Sequence, residues 1–388
     1  MAVRSVDEQD PEPGPEWARW VPSRMCTIGL EEEVMLLDPE RDWSLAQRID
    51  DVLPALSPAL RERVTAETQS SAIELATDPH ATVDAAVAQL AQLRSALARE
   101  LAPLGLRAAT AGTHPSAVWN DTEIAGGDRH QEVYGSMREL ARREPTFALH
   151  VHIGVGDPEA AIALYNRLRG HVALLLALSA NSPFWQGRDT GLASARIPIF
   201  QAFPRVGVPS RFSDYQEYVE TVDLLLRCEA FPEPTFLWWD IRPQPKFGTI
   251  EVRIMDAQTR TRSTRALVAL LQSIAHLELT EGYLSSTAIG SPEMLAENRF
   301  IASRDGIEAR LIDPVAETRV PVEMLLGRLM AAARPHADRL GCRDALETVP
   351  EVTRETGTAE QMRLFSQLGS LPGVVQAMAG EFCTPPGV

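Results

Sequence analysis

The sequence predicts an α+β fold built on a mainly antiparallel sheet. Strand-like segments come in clusters, with helical patterns between and after them. The charged motifs lie inside those strands rather than on strand-to-helix turns. No GxGxxG or P-loop pattern occurs, so neither a dinucleotide-binding fold nor a P-loop is supported.

Residues 1–22, acidic and proline-rich from Asp7 to Glu16, read as a loose tail without the basic and apolar regions of a signal peptide. Residues 23–388 read as one domain with a helical C-terminal part. Strands are predicted at Cys26–Leu37, Val64–Thr77 and Leu106–Gly112, with helices over Leu45–Arg63 and Val83–Leu101 between them. Phe147–Val155 reads as a further strand. Asp157 and Pro158 then supply an N-cap and a first-turn proline for a helix to about Ala180. Residues 181–212 lack a period, but Phe184, Trp185, Phe200 and Phe203 argue for an ordered loop. A helix near Ser213–Cys228, strands at Thr235–Arg242 and Thr249–Met255, and a mostly helical remainder complete the reading.

The chain has 388 residues and a formal net charge of −16. That balance argues against a protein that reads a nucleic-acid backbone, yet one local basic pocket suffices for a nucleotide. Lys246 is the only lysine, which excludes mechanisms needing several. Cys26, Cys228, Cys342 and Cys383 are far apart and suggest neither a zinc frame nor a disulfide scaffold. The longest apolar stretch, near Val172–Ala180, is too short to span a bilayer. A cytoplasmic protein without a membrane or nucleic-acid partner is expected.

Four motifs carry the chemistry. In Gly29-Leu30-Glu31-Glu32-Glu33 an acidic run sits inside an apolar strand. Alternation puts Glu31 and Glu33 on one face, roughly 7 Å apart, and Glu32 on the other. Two such carboxylates repel unless a cation lies between them, and Mg²⁺ takes oxygen ligands. Glu67 and Glu74 are separated by an odd number, so a flat strand would oppose them; Gln69-Ser70-Ser71 could form the bulge or turn that restores a common face. His150 and His152 stand at period two in an apolar strand, as do Glu251 and Arg253. A carboxylate beside an arginine suits phosphoryl chemistry, where negative charge on oxygens must be neutralised. Each motif alone has an ordinary structural reading: a solvated face, surface acids, a core histidine, a cross-strand ion pair. Together they place too many carboxylates in apolar strands to be buried without metal, and at least two ions are implied.

The order of these motifs resembles the glutamine synthetase and glutamate–cysteine ligase superfamily. The resemblance is nearer to the bacterial glutamate–cysteine ligase type 2 group, the YbdK-like carboxylate–amine ligases. It is carried also by Gly112-Thr113-His114-Pro115, Ala180-Asn181-Ser182-Pro183-Phe184-Trp185, Gly187-Arg188-Asp189-Thr190-Gly191, Trp238-Trp239-Asp240-Ile241-Arg242-Pro243 and Asn298 to Gly306, across roughly residues 25–345. It implies a funnel-shaped catalytic sheet flanked by helices, with ATP and two or three Mg²⁺ ions, or Mn²⁺ in their place. The implied activity is amide formation through an acyl phosphate, with glutamate and cysteine as default substrates and a homodimer favoured.

Carried over by position, Glu31, His150 and Glu251 match one metal site, and Glu33, Glu67 and Glu74 match the site beside the attacking amine. Arg253 and Glu251 match the phosphate-transferring centre, with His152 beside the nucleotide. Arg188, Arg196, His114 and Trp239 are implied for substrate binding, Arg196 also for catalysis. His130 departs from the group at a position where tyrosine is common. Other substrates with the same ATP chemistry, a metal-dependent hydrolase, a guanidino-type kinase and an inactive binding protein stay open as alternatives.

Overall fold

Alternation along β1 (Ile28–Asp38) decides the architecture. In this computed structural model, which describes residues 14–143 and 145–385, Ile28, Leu30, Val34 and Leu36 are buried in the main core. Gly29, Glu31 and Glu33 take the other face. β2 (Ser44–Leu45), β3 (Val64–Ala66), β4 (Ala72–Ala76), β5 (Arg107–Ala109) and β6 (Ala148–Gly154) follow. β7 (Phe184–Trp185) and β8 (Arg188–Asp189) form a separate hairpin. β9 (Ile241–Gln244) and β10 (Thr249–Asp256) complete the sheet, and β11 (Arg310–Asp313) with β12 (Thr318–Pro321) forms another hairpin. The sheet order is β3-β4-β1-β6-β10-β9, with β2 and β5 also paired to β1. Every pairing is antiparallel, as the sequence predicts.

Helices cover the aliphatic face. Val83–Leu101 starts where Thr82 Oγ1 accepts the Ala85 N–H, and it buries Val83, Val87, Leu90, Leu97 and Leu101 along one stripe. It packs on the helix Thr261–Thr280, which also meets Pro158–Leu168 and Val322–Leu340. One ion pair interrupts this core. Glu32, fully buried, accepts from Arg94 Nε at 2.7 Å and from a terminal Arg94 nitrogen at 2.5 Å. The remaining Arg94 donors go to the Gln258, Thr259 and Phe382 carbonyls. On the opposite face the C-terminal helix Leu371–Glu381 covers Met35 and Leu37 with Val374, Val375 and Met378. The stretch around Glu31 and Glu33 faces a cavity.

Several elements differ from expectation. Val64–Thr77 is a hairpin, β3 and β4, not one strand; Ala66 pairs with Ile73, and the turn closes where Ala72 N–H donates to the Gln69 carbonyl. Leu45–Arg63 holds two short helices, Ile49–Ala55 and Pro58–Arg61, because Ser57 caps a new helix with Pro58 at its first position. The helix from Pro158 ends at Leu168, and a 3-10 turn precedes a second helix, Val172–Ser179. At Gly170 a Cβ would lie 2.5 Å from a Leu284 methyl and 2.9 Å from an Ile289 methyl, so those side chains pack against the turn where a side chain would stand. Thr235–Arg242 is mostly irregular, and its strand begins only at Ile241. Of residues 1–22, residues 1–13 lie outside the described part; Trp17 Nε1 donates to Asp223 and Trp20 Nε1 to the Val155 carbonyl. No helix among the described residues is long and apolar enough to cross a membrane.

The Glu32–Arg94 pair generates the first prediction. Arg94→Leu leaves a buried carboxylate without its counter-charge and should cost about 3–5 kcal/mol of unfolding free energy in urea titrations. Replacing both partners by leucine should recover most of that loss. A single-variant loss below about 1 kcal/mol, the scale of exposed pairs, would show that water reaches Glu32.

Candidate active site

Strand register assembles the site. Across the pairing of β1 with β4, Glu33 stands opposite Glu74. Glu31 stands opposite His150 on β6, and His152 opposite Glu251 on β10. The β3–β4 turn then returns Glu67 to the same side as Glu74. The result is three overlapping groups of potential ligands: Glu31, Glu74 and His150; Glu31, His152 and Glu251; and Glu33, Glu67 and Glu74. Within each, one oxygen or nitrogen of every member lies within 4.8 Å of the others. The break in alternation between Glu67 and Glu74 is therefore a tight hairpin.

His150 occupies the centre. Its Nδ1 is 3.5 Å from Glu31, 3.9 Å from Glu251 and 4.0 Å from Glu74, and its Nε2 is 3.6 Å from Glu33. His152 Nε2 lies 3.2 Å from Glu31, and its Nδ1 bonds the Thr249 hydroxyl at 2.9 Å. Glu251 is fully buried and accepts from Arg242 Nε at 2.9 Å, from Gln244 Nε2 at 2.7 Å and from Arg253. Arg253 lies where β10 shifts register between Val252 and Met255, and its side chain also approaches His150 at 3.5 Å.

The acids divide electrostatically. Burial alone would raise every one of them. At Glu31 burial is outweighed by the His152 charge and by hydrogen bonds to both histidines, so its carboxyl is held low. At Glu251 burial is outweighed by Arg242 and Arg253, again keeping the carboxylate ionised. At Glu67 burial and then the Glu33 charge outweigh Arg253 and push the carboxyl up to about 8. Glu74 is raised well above the usual range by burial and by Glu31 and Glu67. Burial and Arg253 lower His150, which favours a neutral imidazole able to act as a ligand.

These residues fit divalent cations. The Nε2 atom of His150 is buried without a hydrogen-bond partner. The donors are mostly carboxylate oxygens, the set that hard ions such as Mg²⁺ or Mn²⁺ prefer.

Glu31, Glu33, Glu67, Glu74 and His150 line a cavity of about 350 Å³ that also touches Arg129, Trp238, Arg242, Gln244, Phe247 and Arg253. Beyond Glu33 and Glu67 it continues into a recess of about 70 Å³ walled by Met137, Phe200, Phe203, Trp238, Arg196 and Arg253. Arg196 donates to the Ile254 and Arg253 carbonyls, and its Nε is buried without a partner. Three residues expected for substrate binding do not line this cavity or its recess. Arg188 is exposed on β8. His114 is buried, its Nε2 on the Trp43 carbonyl and its Nδ1 accepting from Ser116 and Ala117 N–H. Trp239 packs on Phe212, and its neighbour Trp238 faces the cavity instead. Arg242 and Gln244 escaped sequence reasoning. Their period-two spacing, opposite Glu251 across a short turn, was the available signal.

The family model described as glutamate–cysteine ligase family 2 matches residues 27–382. A Rubrobacter xylanophilus protein named "Putative glutamate–cysteine ligase 2-1" is 38% identical over 92% of this chain and 96% of its own length. A Thermobifida fusca protein named "Putative glutamate–cysteine ligase 2" is 37% identical over 93% of this chain and 92% of its own. Among solved structures, the Francisella tularensis glutamate–cysteine ligase in complex with AMP superposes with a TM-score of 0.68. It is 13% identical and the match covers 94% of this chain and 90% of that one, a likeness of fold.

The raised Glu67 carboxyl predicts a pH effect. In the folded protein it keeps a proton that the unfolded chain sheds above its ordinary value of 4.5. Metal-free protein should therefore lose stability as pH rises from about 4.5 to about 8. Thermal melts in chelator should show Tm falling from about pH 6 to about pH 8, with a shallower fall in Glu67→Gln. Mg²⁺ should raise Tm more at the higher pH, where it competes with fewer protons. An unchanged slope in Glu67→Gln would show that this carboxyl is already ionised.

Proposed function

The chain belongs to glutamate–cysteine ligase family 2, a family of ATP-dependent ligases, and from that membership we propose that it joins a carboxylate to an amine through an acyl phosphate. The observation that carries this reading is the buried Glu251–Arg253 pair set among the converging carboxylates and histidines. A hydrolase would need no arginine there; phosphoryl transfer does.

A carboxylate is a poor electrophile for an amine. In the proposed reaction its oxygen attacks the γ-phosphorus and ADP leaves; the amine then attacks the acyl carbon and phosphate leaves, while the amine sheds a proton. Arg253, held in place by Glu251, presents its guanidinium to the transferring oxygens and offsets their charge. Glu31, His150, His152 and Glu251 at one side, and Glu33, Glu67 and Glu74 at the other, would hold divalent ions. When bound, such ions would supply positive charge that offsets the negative charge of the phosphate oxygens. Glu33 and Glu67 line both the cavity and the recess. Their carboxyl groups are placed to hold the amine and to take the proton it releases. Arg196, with a free Nε at the recess, is suited to hold a substrate carboxylate. No protein nucleophile is required. Glutamate and cysteine, the substrates in the relatives' names, are the first pair to test.

ADP and phosphate should form only when carboxylate and amine are both supplied, and hydroxylamine should trap the activated acyl group as a hydroxamate. Formation of AMP and pyrophosphate would overturn the acyl-phosphate route. Arg253→Lys should lower kcat on the order of a hundredfold, since a lysine cannot reproduce the planar fork. Lys246→Ala, in the turn before β10, should change kcat by less than about threefold. The opposite ranking in steady-state kinetics would place the phosphate elsewhere.

A further inference from the structure

The cavity has two unequal ends. At the Glu33 end it narrows to the recess of about 70 Å³. That volume is far below the roughly 300 Å³ at which pockets begin to enclose nucleotide-sized ligands. A nucleotide whose terminal phosphate meets Arg253 has room only in the larger cavity, whose wall includes Thr65, Gln244 and Phe247.

Phe247 is anomalous there. It is a large apolar side chain, 53% exposed, on the rim of a cavity lined mostly by acids, imidazoles and guanidinium groups. Core packing does not account for it. Its position is fixed by the backbone instead. Phe247 ends the 3-10 turn Pro245–Phe247 between β9 and β10, and Gly248 follows with a φ of +61°. A Cβ at Gly248 would lie 1.9 Å from the Val21 carbonyl oxygen, so the turn is seated closely on the N-terminal segment. The ring meets His152 edge to face, with centroids 6.0 Å apart and planes at 80°. His152 is itself tied to Thr249 and Glu31. The ring is thus in contact with the ligand cluster through His152. The Lys246 ammonium, 5.7 Å from the ring centroid, is the side chain that approaches its face, and it is a flexible one.

We infer that Phe247 is the platform on which the heteroaromatic base of the nucleotide stacks, an inference that rests on the ATP-dependent reading above. Stacking at this distance from the reacting phosphorus stabilises ground and transition states alike. It therefore sets KM for the nucleotide and leaves kcat nearly untouched.

The test compares ATP with inorganic tripolyphosphate, each with Mg²⁺, by calorimetry on the full chain. Phe247→Ala should weaken ATP binding roughly 5- to 150-fold, the range for losing one base–aromatic stack, and leave tripolyphosphate within about twofold, because no base is present. Phe247→Trp should retain ATP binding. In turnover, Phe247→Ala should raise KM for ATP, with kcat within about threefold of wild type. An unchanged melting temperature shows that the variant is folded. If Phe247→Ala binds ATP as tightly as wild type, or loses tripolyphosphate equally, the platform is refuted while the ligase reading stands. If the wild-type protein binds no ATP, the ligase reading falls and the platform with it.

Discussion

Five carboxylates, those of Glu31, Glu33, Glu67, Glu74 and Glu251, converge on one side of a sheet whose other side is hydrocarbon. Their mutual repulsion in a partly dry cavity is the constraint to which the rest of the structure answers. Glu251 is tolerable because Arg242, Gln244 and Arg253 surround it. Glu31 is tolerable because both histidines face it. At Glu67 and Glu74 burial and the neighbouring acids outweigh Arg253, and in the absence of cations their carboxyls are raised. The site is balanced at its β10 side and short of positive charge at its β4 side.

The same tripeptide Glu31-Glu32-Glu33 shows two solutions to one problem. Glu31 and Glu33 point into the cavity, where cations or substrate can compensate them. Glu32 points into the helical core, where nothing mobile can arrive, so the protein supplies a permanent counter-ion in Arg94. Arg94 spends its remaining donors on carbonyls of the segment after β10 and of the C-terminal end. That arrangement joins the back of the central strand to the chain terminus. The C-terminal helix in turn closes the cavity face over Met35 and Leu37. A buried ion pair adds little net energy over an apolar substitute, but it fixes which strand face meets the helices.

The cavity is also asymmetric in shape. Its small end sets Phe200, Phe203, Trp238 and Met137 against Glu33, Glu67, Arg196 and Arg253, and the Nε atoms of both arginines are buried without partners. Its larger end is open and reaches the rim at Phe247. A reaction that brings a bulky phosphate donor to a compact pair of organic substrates needs that asymmetry, since a group passing from one to the other must do so where Arg253 and the acids lie between them.

Much of this was legible in the residues. Antiparallel pairing, the shared face of Glu31 with Glu33, and of Glu251 with Arg253, follow from period-two alternation in apolar strands, a local property. Family membership was legible because many short motifs occur in order along the chain. What alternation could not say is which strand lies beside which. Strand neighbours and register place His150 against Glu31, and His152 opposite Glu251 on the adjacent strand. They also bring Arg242 to Glu251 and turn Glu67 back beside Glu74 through a hairpin that reads as one strand. Arg188, His114 and Trp239 sit in motifs that resemble the family, yet the fold assigns them to a surface hairpin, a loop anchor and aromatic packing. Local chemistry determined which side chains could form the site. The tertiary structure decided which of them do, because convergence depends on pairing between segments far apart in sequence, which no local pattern encodes.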